Sequence, residues 1–344
     1  MSLFSTKTKL LEWYSCQNRT LPWREENPDP YRVWIAEIML QQTTFATVSN
    51  RFYDFMAVFP NLESLAMASQ AEVLQHWAGL GYYARARNLH RCAQTLVAKR
   101  GGKFPKDIAT LRTLPGIGDY TAAAIAAIAF DVSGHAIDSN IKRIFARFTR
   151  YQKPVTERTP ELLEFFAASE LGHSPRHHLQ AWMDFGETLC RARNPDCDHC
   201  PLQTACQGRD IAETLPIKVP KKPRRQLHAY GYWLLNDQSD ALWLRRRPQQ
   251  GLLAGMLEIP TSEWLENSAK HLPHLPVQDW RDTGKAIQHR FTHIDLSVHI
   301  LSATTKQNLD SFGTESHWYP LVDLPQFGFA SLMKKIVGVM DNKR

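Results

Sequence analysis

The sequence has little cysteine and no long apolar segment. Six cysteines occur in 344 residues, and no run reaches the roughly 18 apolar residues of a membrane-spanning helix. The amino end lacks the long apolar run of a secretory signal peptide, and the chain has no internal repeat and no low-complexity tract. The lack of a long apolar run excludes a membrane-spanning helix, and the hydrophobic fraction of 43% excludes fibrous and disordered proteins. These absences predict a cytoplasmic protein whose cysteines are free or bound to metal rather than joined in disulfides.

The chain has enough hydrophobic residues for a sizeable core, and its charge is moderately basic. A hydrophobic fraction of 43% over 344 residues is sufficient for two domains. Lysine and arginine number 41 against 34 acidic residues, which gives a formal net charge of +7. This balance is compatible with DNA as a partner, although many proteins share it. A stretch without acids at residues 215–225 carries Lys218, Lys221, Lys222, Arg224 and Arg225.

The first 214 residues have the periodicity of helices. One apolar stripe with alternating steps of three and four residues runs from Phe45 to Phe59, and Pro60 ends it. A second such stripe lies at residues 141–148, and residues 121–130 are rich in alanine and isoleucine, which suits a buried helix. We therefore predict an all-α region over residues 1–214. The apolar positions of the two stripes are Phe45, Val48, Phe52, Phe55, Phe59, Ile141, Ile144, Phe145 and Phe148.

A basic, proline-rich segment separates this region from a second one. Its prolines cannot continue a helix, so residues 215–227 are predicted to form an extended linker. Residues 228–235 and 241–244 have the pattern of two strands joined by a turn. Residues 294–300 alternate between apolar and polar side chains, as in a strand with one buried face. Residues 228–344 are therefore predicted to form a smaller α+β domain.

Four cysteines form a compact group near the end of the helical region, with the spacing C-x6-C-x2-C-x5-C over residues 190–206. Four thiolates this close together can enclose one soft metal centre. Structural zinc sites usually pair two C-x2-C knuckles across a longer gap, whereas this segment has one such knuckle. An iron–sulfur cube is therefore predicted, with zinc as the alternative. The four positions are Cys190, Cys197, Cys200 and Cys206.

A glycine turn directly precedes the alanine-rich segment. Gly116 and Gly118 lie in the motif PGIG at residues 115–118. Glycine permits positive φ values and the close approach of another backbone. The unpaired amides at the start of the following helix can hold a phosphate. This pattern is typical of the helix-hairpin-helix motif of sequence-independent DNA binding, although a tight connection between two helices needs the same residues.

Two carboxylates are candidates for acid–base chemistry. Glu37 is the only charged residue in the apolar segment VWIAEIML at residues 33–40. Burial there would raise its pKa and keep it protonated, ready to act as a general acid; a glutamate on a helix surface is the alternative. Asp138 precedes an amphipathic helix and suits its N-cap position. An aspartate fixed at a helix start can also face a substrate cation.

Several motifs, in their order and spacing, resemble the adenine DNA glycosylase (MutY) family of the helix-hairpin-helix glycosylases. They are LPWR (21–24), WIAEIMLQQT (34–43), GLGYYARARNLH (79–90), PGIG (115–118), DSN (138–140) and the four cysteines. The resemblance covers nearly the whole chain. It implies a multidomain protein: an all-α helix-hairpin-helix glycosylase domain with one [4Fe-4S] cluster, then a smaller α+β Nudix-like domain. It also implies a monomeric bacterial enzyme that excises adenine opposite 8-oxoguanine or guanine in double-stranded DNA.

The resemblance implies roles for individual residues. Glu37 would protonate the N7 atom of adenine, and Asp138 would stabilise the positively charged sugar that is left behind. Other positions match residues that contact the sugar, the base stack, the adenine pocket, the oxidised guanine and the DNA backbone. Tyr120 and Asn140 match the sugar contacts, Gln42 and Tyr82 the contacts with the base stack, and Arg24 and Asp184 the adenine pocket. Phe291, Thr292 and His293 match the contacts with the oxidised guanine, and Gly116 and Gly118 those with the DNA backbone.

Tyr120 distinguishes this family from the endonuclease III-like glycosylases. Those relatives have a lysine at this position, which forms a Schiff base and then cleaves the strand. Because tyrosine cannot form one, a monofunctional glycosylase that leaves an abasic site is predicted, and an endonuclease III-like lyase is the alternative. A non-catalytic DNA-binding or iron–sulfur sensor protein is disfavoured by Glu37 and Asp138. A zinc-dependent nuclease is disfavoured because no cluster of histidine and aspartate ligands occurs.

The sequence departs from the family pattern at three places. Ser139 stands where the family commonly has glycine, and Thr292 stands where it commonly has serine. Because threonine keeps the hydroxyl group, recognition of the oxidised guanine is expected to survive. The motif GLLAGMLEIP at residues 251–260 resembles the start of a Nudix region, but the downstream glutamate cluster that would bind magnesium is absent from the sequence. The second domain is therefore predicted to recognise a lesion rather than to hydrolyse nucleotides.

Overall fold

The computed structural model describes residues 3–17, 19–156, 159–170, 172–220, 223–248, 250–267, 277, 279–307, 309 and 316–341. The chain divides into two compact units. The helical unit comprises Met1–Met67 and Asn88–Pro220, and the sheet unit comprises Ala68–Arg87 and Lys221–Arg344. Part of the predicted linker, residues 221–222, lies outside the described residues. The inclusion of Ala68–Arg87 in the sheet unit was not predicted.

The first part of the chain is helical, and the predicted helices at residues 45–59, 121–130 and 141–148 are confirmed. The helices are α1 (Leu3–Ser15), α2 (Pro30–Leu40), α3 (Phe45–Val58), α4 (Leu62–Met67), α5 (Gln70–His76), α6 (Ala84–Arg100), α7 (Ile108–Leu111), α8 (Asp119–Phe130), α9 (Ser139–Phe148), α10 (Pro160–Glu170) and α11 (Pro175–Thr188). None of the helices in the described ranges is both long enough and apolar enough to cross a membrane.

Helix α8 occupies the centre of the helical unit. Its residues from Thr121 to Ala129 are all buried, and a helix that is apolar on every side must be covered on every side. Helices α2 and α11 pack against it. Helix α2 begins at a proline after the N-cap residue Asp29, whose side chain accepts a hydrogen bond from the backbone N–H of Tyr31. This packing brings the middle of α2 and the first turn of α8 together.

The part of the sheet unit after Lys221 contains a mixed sheet and the helix α12, as the α+β prediction requires. Its strands and this helix are β1 (Arg225–Asn236), β2 (Ala241–Arg246), β3 (Leu257–Glu258), β4 (Arg281–Arg290), β5 (Ile294–Thr305), β6 (Ser316–Pro320) and α12 (Ser331–Asp341). Helix α5 belongs to the same unit through Ala68–Arg87. The strand order is β3-β2-β1-β5-β4, with β6 paired to β2. Strands β1 and β5 are parallel, and the other pairs are antiparallel. Helix α12 packs on the core of the sheet.

Strand β1 begins at Arg225, three residues earlier than predicted. Arg225 pairs with Ile294 at the start of β5, and the parallel pairing continues to Asn236. The proline-rich segment before residues 225–227 predicts a linker there, whereas these residues form the start of the strand. The pairing partner lies about 70 residues away in the chain, so no local pattern indicates it.

Arg147 of α9 joins the helix to two other chain segments. Its side chain is 1% exposed, and it donates hydrogen bonds to the carbonyl oxygens of Leu215 (3.2 Å), Cys190 (3.3 Å) and Arg191 (2.6 Å). Backbone carbonyls that are buried without a partner are costly, and one guanidinium group supplies several donors at once. Arg147 therefore fixes the cysteine-containing segment to α9.

The variant Arg147→Met should loosen residues 190–215. Methionine keeps most of the length of the side chain but has no donors, so buried carbonyl groups lose their partners at a cost of about 1–3 kcal/mol each. Amide hydrogen exchange in peptides from this segment should therefore become faster. Arg51→Met is the control, because Arg51 is exposed on α3 and its ion pair with Asp54 spans 3.9 Å. Equal exchange rates in the two variants would contradict the role of Arg147.

Candidate active site

A cavity of about 330 Å³ lies in the helical unit, with residues of α2, α8, α9 and α11 in its wall. Its volume is at the lower end of the range of small-molecule pockets, roughly 300–1,000 Å³. Apolar side chains, among them Trp23 and Phe45, form part of the wall. The cavity brings together six of the predicted site residues. They are Arg24, Glu37, Tyr120, Asp138, Asn140 and Asp184.

Glu37 lies in the middle of α2 with only 5% of its surface exposed. The hydroxyl group of Tyr120 donates a hydrogen bond of 3.1 Å to its Oε2 atom. Burial raises the pKa of Glu37 to about 7; the Tyr120 hydrogen bond opposes this rise, whereas the charge of Asp138 adds to it. Both the protonated and the ionised form are therefore populated near neutral pH, as a proton-transfer group requires.

Tyr120 lies in the first turn of α8. Burial raises the pKa of its phenol well above the usual value, and the negative charges of Glu37 and Asp138 act in the same direction. The phenol therefore keeps its proton and remains a hydrogen-bond donor to Glu37. Its oxygen also fixes the position of the Glu37 carboxyl group relative to α8.

Asp138 is the N-cap residue of α9, as the sequence pattern indicated, and it also lines the cavity. Its Oδ1 atom accepts a hydrogen bond of 2.7 Å from the backbone N–H of Ile141, and its Oδ2 atom accepts one of 3.0 Å from Nδ2 of Asn140. Burial raises the pKa of Asp138, while the Ile141 amide, the Arg143 guanidinium and Asn140 oppose that rise. Asp138 can therefore both cap α9 and face a substrate cation in the cavity.

Arg143 and Gly186 support Asn140, and neither was predicted from the sequence. Arg143 donates through Nη2 to Oδ1 of Asn140 (2.8 Å) and to the carbonyl oxygen of Gly186 (2.6 Å). A Cβ atom added to Gly186 would lie 2.5 Å from Cβ of Asn140, so only glycine allows α11 to approach so closely. Arg143 lies three residues after Asn140, and side chains at this spacing are neighbours on one face of a helix. This spacing could have indicated the contact from the sequence.

Asp184 of α11 is 2% exposed and carries two arginine partners. Arg24 binds it with both terminal nitrogens, at 2.5 and 2.8 Å, and Arg19 contacts its Oδ1 atom at 2.9 Å. The guanidinium group of Arg19 also lies 4.6 Å from the ring centre of Phe45. A buried aspartate requires such partners, but no sequence pattern indicated that Arg19 would be one of them.

Three further predicted residues lie at exposed turns of the helical unit. Gln42 follows α2 with a φ angle of 61°, between the cavity residues Gln41 and Thr43. Gly116 has a φ angle of 74°, and Gly118 is the N-cap of α8 without a side-chain cap. A turn of this kind leaves backbone amides at the start of α8 available for an anion.

The sheet unit carries the remaining predicted site residues. Thr292 and His293 are exposed at the turn between β4 and β5. The turn is closed by a hydrogen bond of 2.7 Å that the Phe291 N–H donates to the Ile294 carbonyl oxygen. The hydroxyl groups of Tyr82 and Thr292 lie 3.1 Å apart. Tyr82 is half exposed and has a φ angle of 47°, a region that tyrosine rarely adopts. The structure thus brings Tyr82 and Thr292 together.

The four clustered cysteines line one small pocket of about 30 Å³, together with Arg147 and Arg209. Within the described residues, no three histidine, cysteine, aspartate or glutamate side chains are arranged to hold a single metal ion. A four-iron cluster is larger than one ion, so its cysteine ligands are spaced more widely than those of zinc. Four cysteine thiols around a common pocket are a donor set that suits a soft metal centre such as an iron–sulfur cluster.

Comparison with family models identifies two regions of the chain. Residues 35–168 match the model described as HhH-GPD superfamily base excision DNA repair protein. Residues 231–338 match the model of the NUDIX domain. A solved structure of a thermostable thymine-DNA glycosylase is similar to the chain, with a TM-score of 0.56 and 25% identity over 60% of this chain and 96% of that one.

Curated relatives match over almost the full length. The adenine DNA glycosylase of Rattus norvegicus is 32% identical, in an alignment that covers 98% of this chain and 78% of the relative. The enzyme of the same description from Buchnera aphidicola subsp. Schizaphis graminum is 27% identical, with 98% of this chain and 99% of the relative covered. Identity at this level over nearly the whole length, together with both family models, shows that the chain belongs to the adenine DNA glycosylase family.

Proposed function

We propose that the protein excises adenine that is mispaired with 8-oxoguanine, and adenine opposite guanine, from double-stranded DNA. The observation that carries this proposal is the pair Glu37 and Asp138 in one cavity, where Glu37 has a pKa of about 7. Cleavage of a glycosidic bond needs an acid for the leaving group and a carboxylate for a cationic sugar. The relatives described as adenine DNA glycosylases support adenine as the base.

The reaction begins when the adenine leaves the duplex, because its atoms cannot be reached within the base stack. Protonated Glu37 then donates its proton to N7, which makes adenine a better leaving group. Tyr120 holds the Glu37 carboxyl group through the 3.1 Å hydrogen bond. Asp138, fixed by the Ile141 amide and by Asn140, offers its negative charge to the oxocarbenium-like sugar. Water then bonds to the sugar carbon that has lost the adenine and gives one proton back to the Glu37 carboxylate, which leaves neutral adenine and an abasic site.

The base edge meets Asp184 and Arg24 at the cavity wall, and Arg19 also binds Asp184. Two guanidinium groups hold Asp184 in a fixed orientation. Preorganised polar groups of this kind discriminate between bases because a wrong partner leaves buried donors or acceptors unpaired. We assign to these residues the recognition of the flipped adenine.

Tyr120 makes the enzyme monofunctional. A Schiff base requires an amine, and this position beside Glu37 is occupied by a phenol. We therefore assign base excision without strand cleavage to the protein.

The β4–β5 turn reads the base opposite adenine. Thr292 and His293 are exposed at its tip, and Tyr82 lies beside Thr292. We assign to the Thr292 hydroxyl group the hydrogen bond that distinguishes 8-oxoguanine from guanine. Gln42 and Tyr82 would occupy gaps in the base stack, and the Gly116–Gly118 turn would bind a phosphate.

Cys190, Cys197, Cys200 and Cys206 would hold one [4Fe-4S] cluster in their common pocket. Four bonds to iron would close the segment 190–206 into a rigid loop. Since all the catalytic side chains come from one chain, a monomer is sufficient for activity. We also assign the protein to a bacterial cytoplasm, associated with the nucleoid through DNA, and a bacterial relative described as an adenine DNA glycosylase is compatible with this assignment.

Glu37→Gln should abolish excision without loss of duplex binding. The amide has nearly the shape of the acid but cannot donate a proton, and a general acid contributes roughly 10²- to 10⁴-fold to the rate. Single-turnover assays on a duplex with adenine opposite 8-oxoguanine, followed by alkali to break abasic sites, measure the effect. Glu164→Gln, an exposed change on α10, is the control. Retained excision by Glu37→Gln would remove the proposed acid, and strand breaks without alkali in the wild type would indicate a lyase.

Glu37→Gln should also make the protein more stable at alkaline pH. The pKa of Glu37 in the folded protein, about 7, exceeds the ordinary glutamate pKa of 4.5. The stability that protonation of Glu37 provides is therefore complete below the ordinary pKa and is lost as pH rises through the folded pKa. Thermal denaturation should show similar stability of the wild type and the variant at about pH 5. At about pH 8.5 the free energy of unfolding of the wild type should be lower than that of the variant by about 3 kcal/mol. A constant difference at both pH values would argue against a perturbed Glu37.

Thr292→Ala should reduce the preference for adenine opposite 8-oxoguanine over adenine opposite guanine. Loss of one hydrogen bond predicts a fall in this ratio of roughly three- to tenfold, with little change in the rate opposite guanine. Ser302→Ala on β5, remote in sequence from the turn, is the control. An unchanged ratio in Thr292→Ala would show that the turn does not read the lesion.

A further inference from the structure

The turn that carries Thr292 has an aromatic support that the proposed mechanism does not use. The ring of Phe291, the first residue of the turn, stacks on the ring of Trp264 with centroids 5.5 Å apart and planes inclined by 24°. The ring of His289 meets Phe291 edge-on at 4.5 Å. Phe291 is therefore held between two rings, and its backbone N–H closes the turn.

Trp264 is itself fixed to the sheet. The next residue, Leu265, exchanges two backbone hydrogen bonds with His228 of β1, at 2.7 and 3.0 Å. The indole N–H of Trp264 donates a hydrogen bond of 3.2 Å to Oγ1 of Thr261. The ring is thus anchored both through its backbone and through its polar atom.

A buried ion pair supports Trp264 further. The guanidinium group of Arg247 lies 5.1 Å from the ring centre of Trp264. Its Nη1 atom is 2.6 Å from Oε2 of Glu258, which is 1% exposed, and the other oxygen of Glu258 is 2.9 Å from Arg245. Arg247 is partly exposed, but its partner carboxylate is buried and would lose a hydrogen-bonded cation if Arg247 moved, so this contact restrains Arg247.

We propose that Glu258, Arg247 and Trp264 form a column that positions Phe291 and, through it, the exposed tip at Thr292 and His293 before DNA binds. The three are positioning residues, since none is at the tip. A tip ordered in advance avoids the entropy cost of ordering it against the lesion. This inference rests on the proposed reading of the opposite base by the β4–β5 turn.

Trp264→Ala tests the proposal, with Trp318→Ala as the matched control. Trp318 is also partly buried in the sheet unit, but it packs on a separate apolar cluster. In Trp264→Ala the ratio of excision rates opposite 8-oxoguanine and opposite guanine should fall roughly three- to tenfold, as expected for loss of one aromatic stack. The rate opposite guanine should stay unchanged, Trp264→Phe should restore the ratio, and Trp318→Ala should retain it.

A second measurement does not depend on the reaction. Amide hydrogen exchange in the peptide covering residues 289–294 should accelerate in Trp264→Ala but not in Trp318→Ala. Arg247→Met removes the cation but keeps the indole of Trp264, so it should accelerate exchange in this peptide less than Trp264→Ala does. Arg247→Met also provides the test if Trp264→Ala does not fold. Unchanged exchange in these variants overturns the column.

The two proposals fail in different ways. If Thr292→Ala lowers the preference ratio while folded Trp264→Ala does not, the column is overturned and the reading turn stands. If Thr292→Ala leaves the ratio unchanged but exchange accelerates in Trp264→Ala, the column stands as the support of the turn and the lesion-reading role is overturned.

Discussion

The carboxyl group of Glu37 is buried where α2 packs against α8, and the chemistry of the candidate site depends on that burial. An isolated charge in such a place is costly, so the group needs either a proton or a partner. It has both, because Tyr120 donates a hydrogen bond and the pKa rises to about 7. The same energetic cost that destabilises the ionised form makes the protonated form available as an acid.

Helix α9 links the candidate chemistry to the cysteine segment. Its N-cap, Asp138, lines the cavity, and two buried arginines further along bind carbonyl oxygens of residues 190–192. Arg143 contacts both Asn140 and the Cys190 carbonyl. The cysteine loop and the carboxylate are therefore held by a single helix. A cluster that rigidifies residues 190–206 would also restrain the helix that carries Asp138.

The periodic patterns predicted those helices and strands that depend on residues close together in the chain. Helices α3, α8 and α9 and the alternating strand β5 were found where the apolar spacing placed them. The early start of β1 was missed because its partner is a distant parallel strand. Arg19 and Gly186 were missed because their importance depends on which helices meet: Arg19 acquires its role only beside Asp184, and Gly186 only beside Asn140.

Residue types and their spacing in the chain were sufficient to select Glu37, Asp138 and the four cysteines, because chemical capability and local helix position are encoded residue by residue. Tyr120 was selected only through the resemblance to the glycosylase family. The folded chain added what depends on distance in space. It set the pKa of Glu37, paired Asp184 with two arginines and stacked Phe291 on Trp264. Electrostatic and packing energies depend on which groups become neighbours and how far water is excluded, and those quantities exist only after the helices and strands have packed.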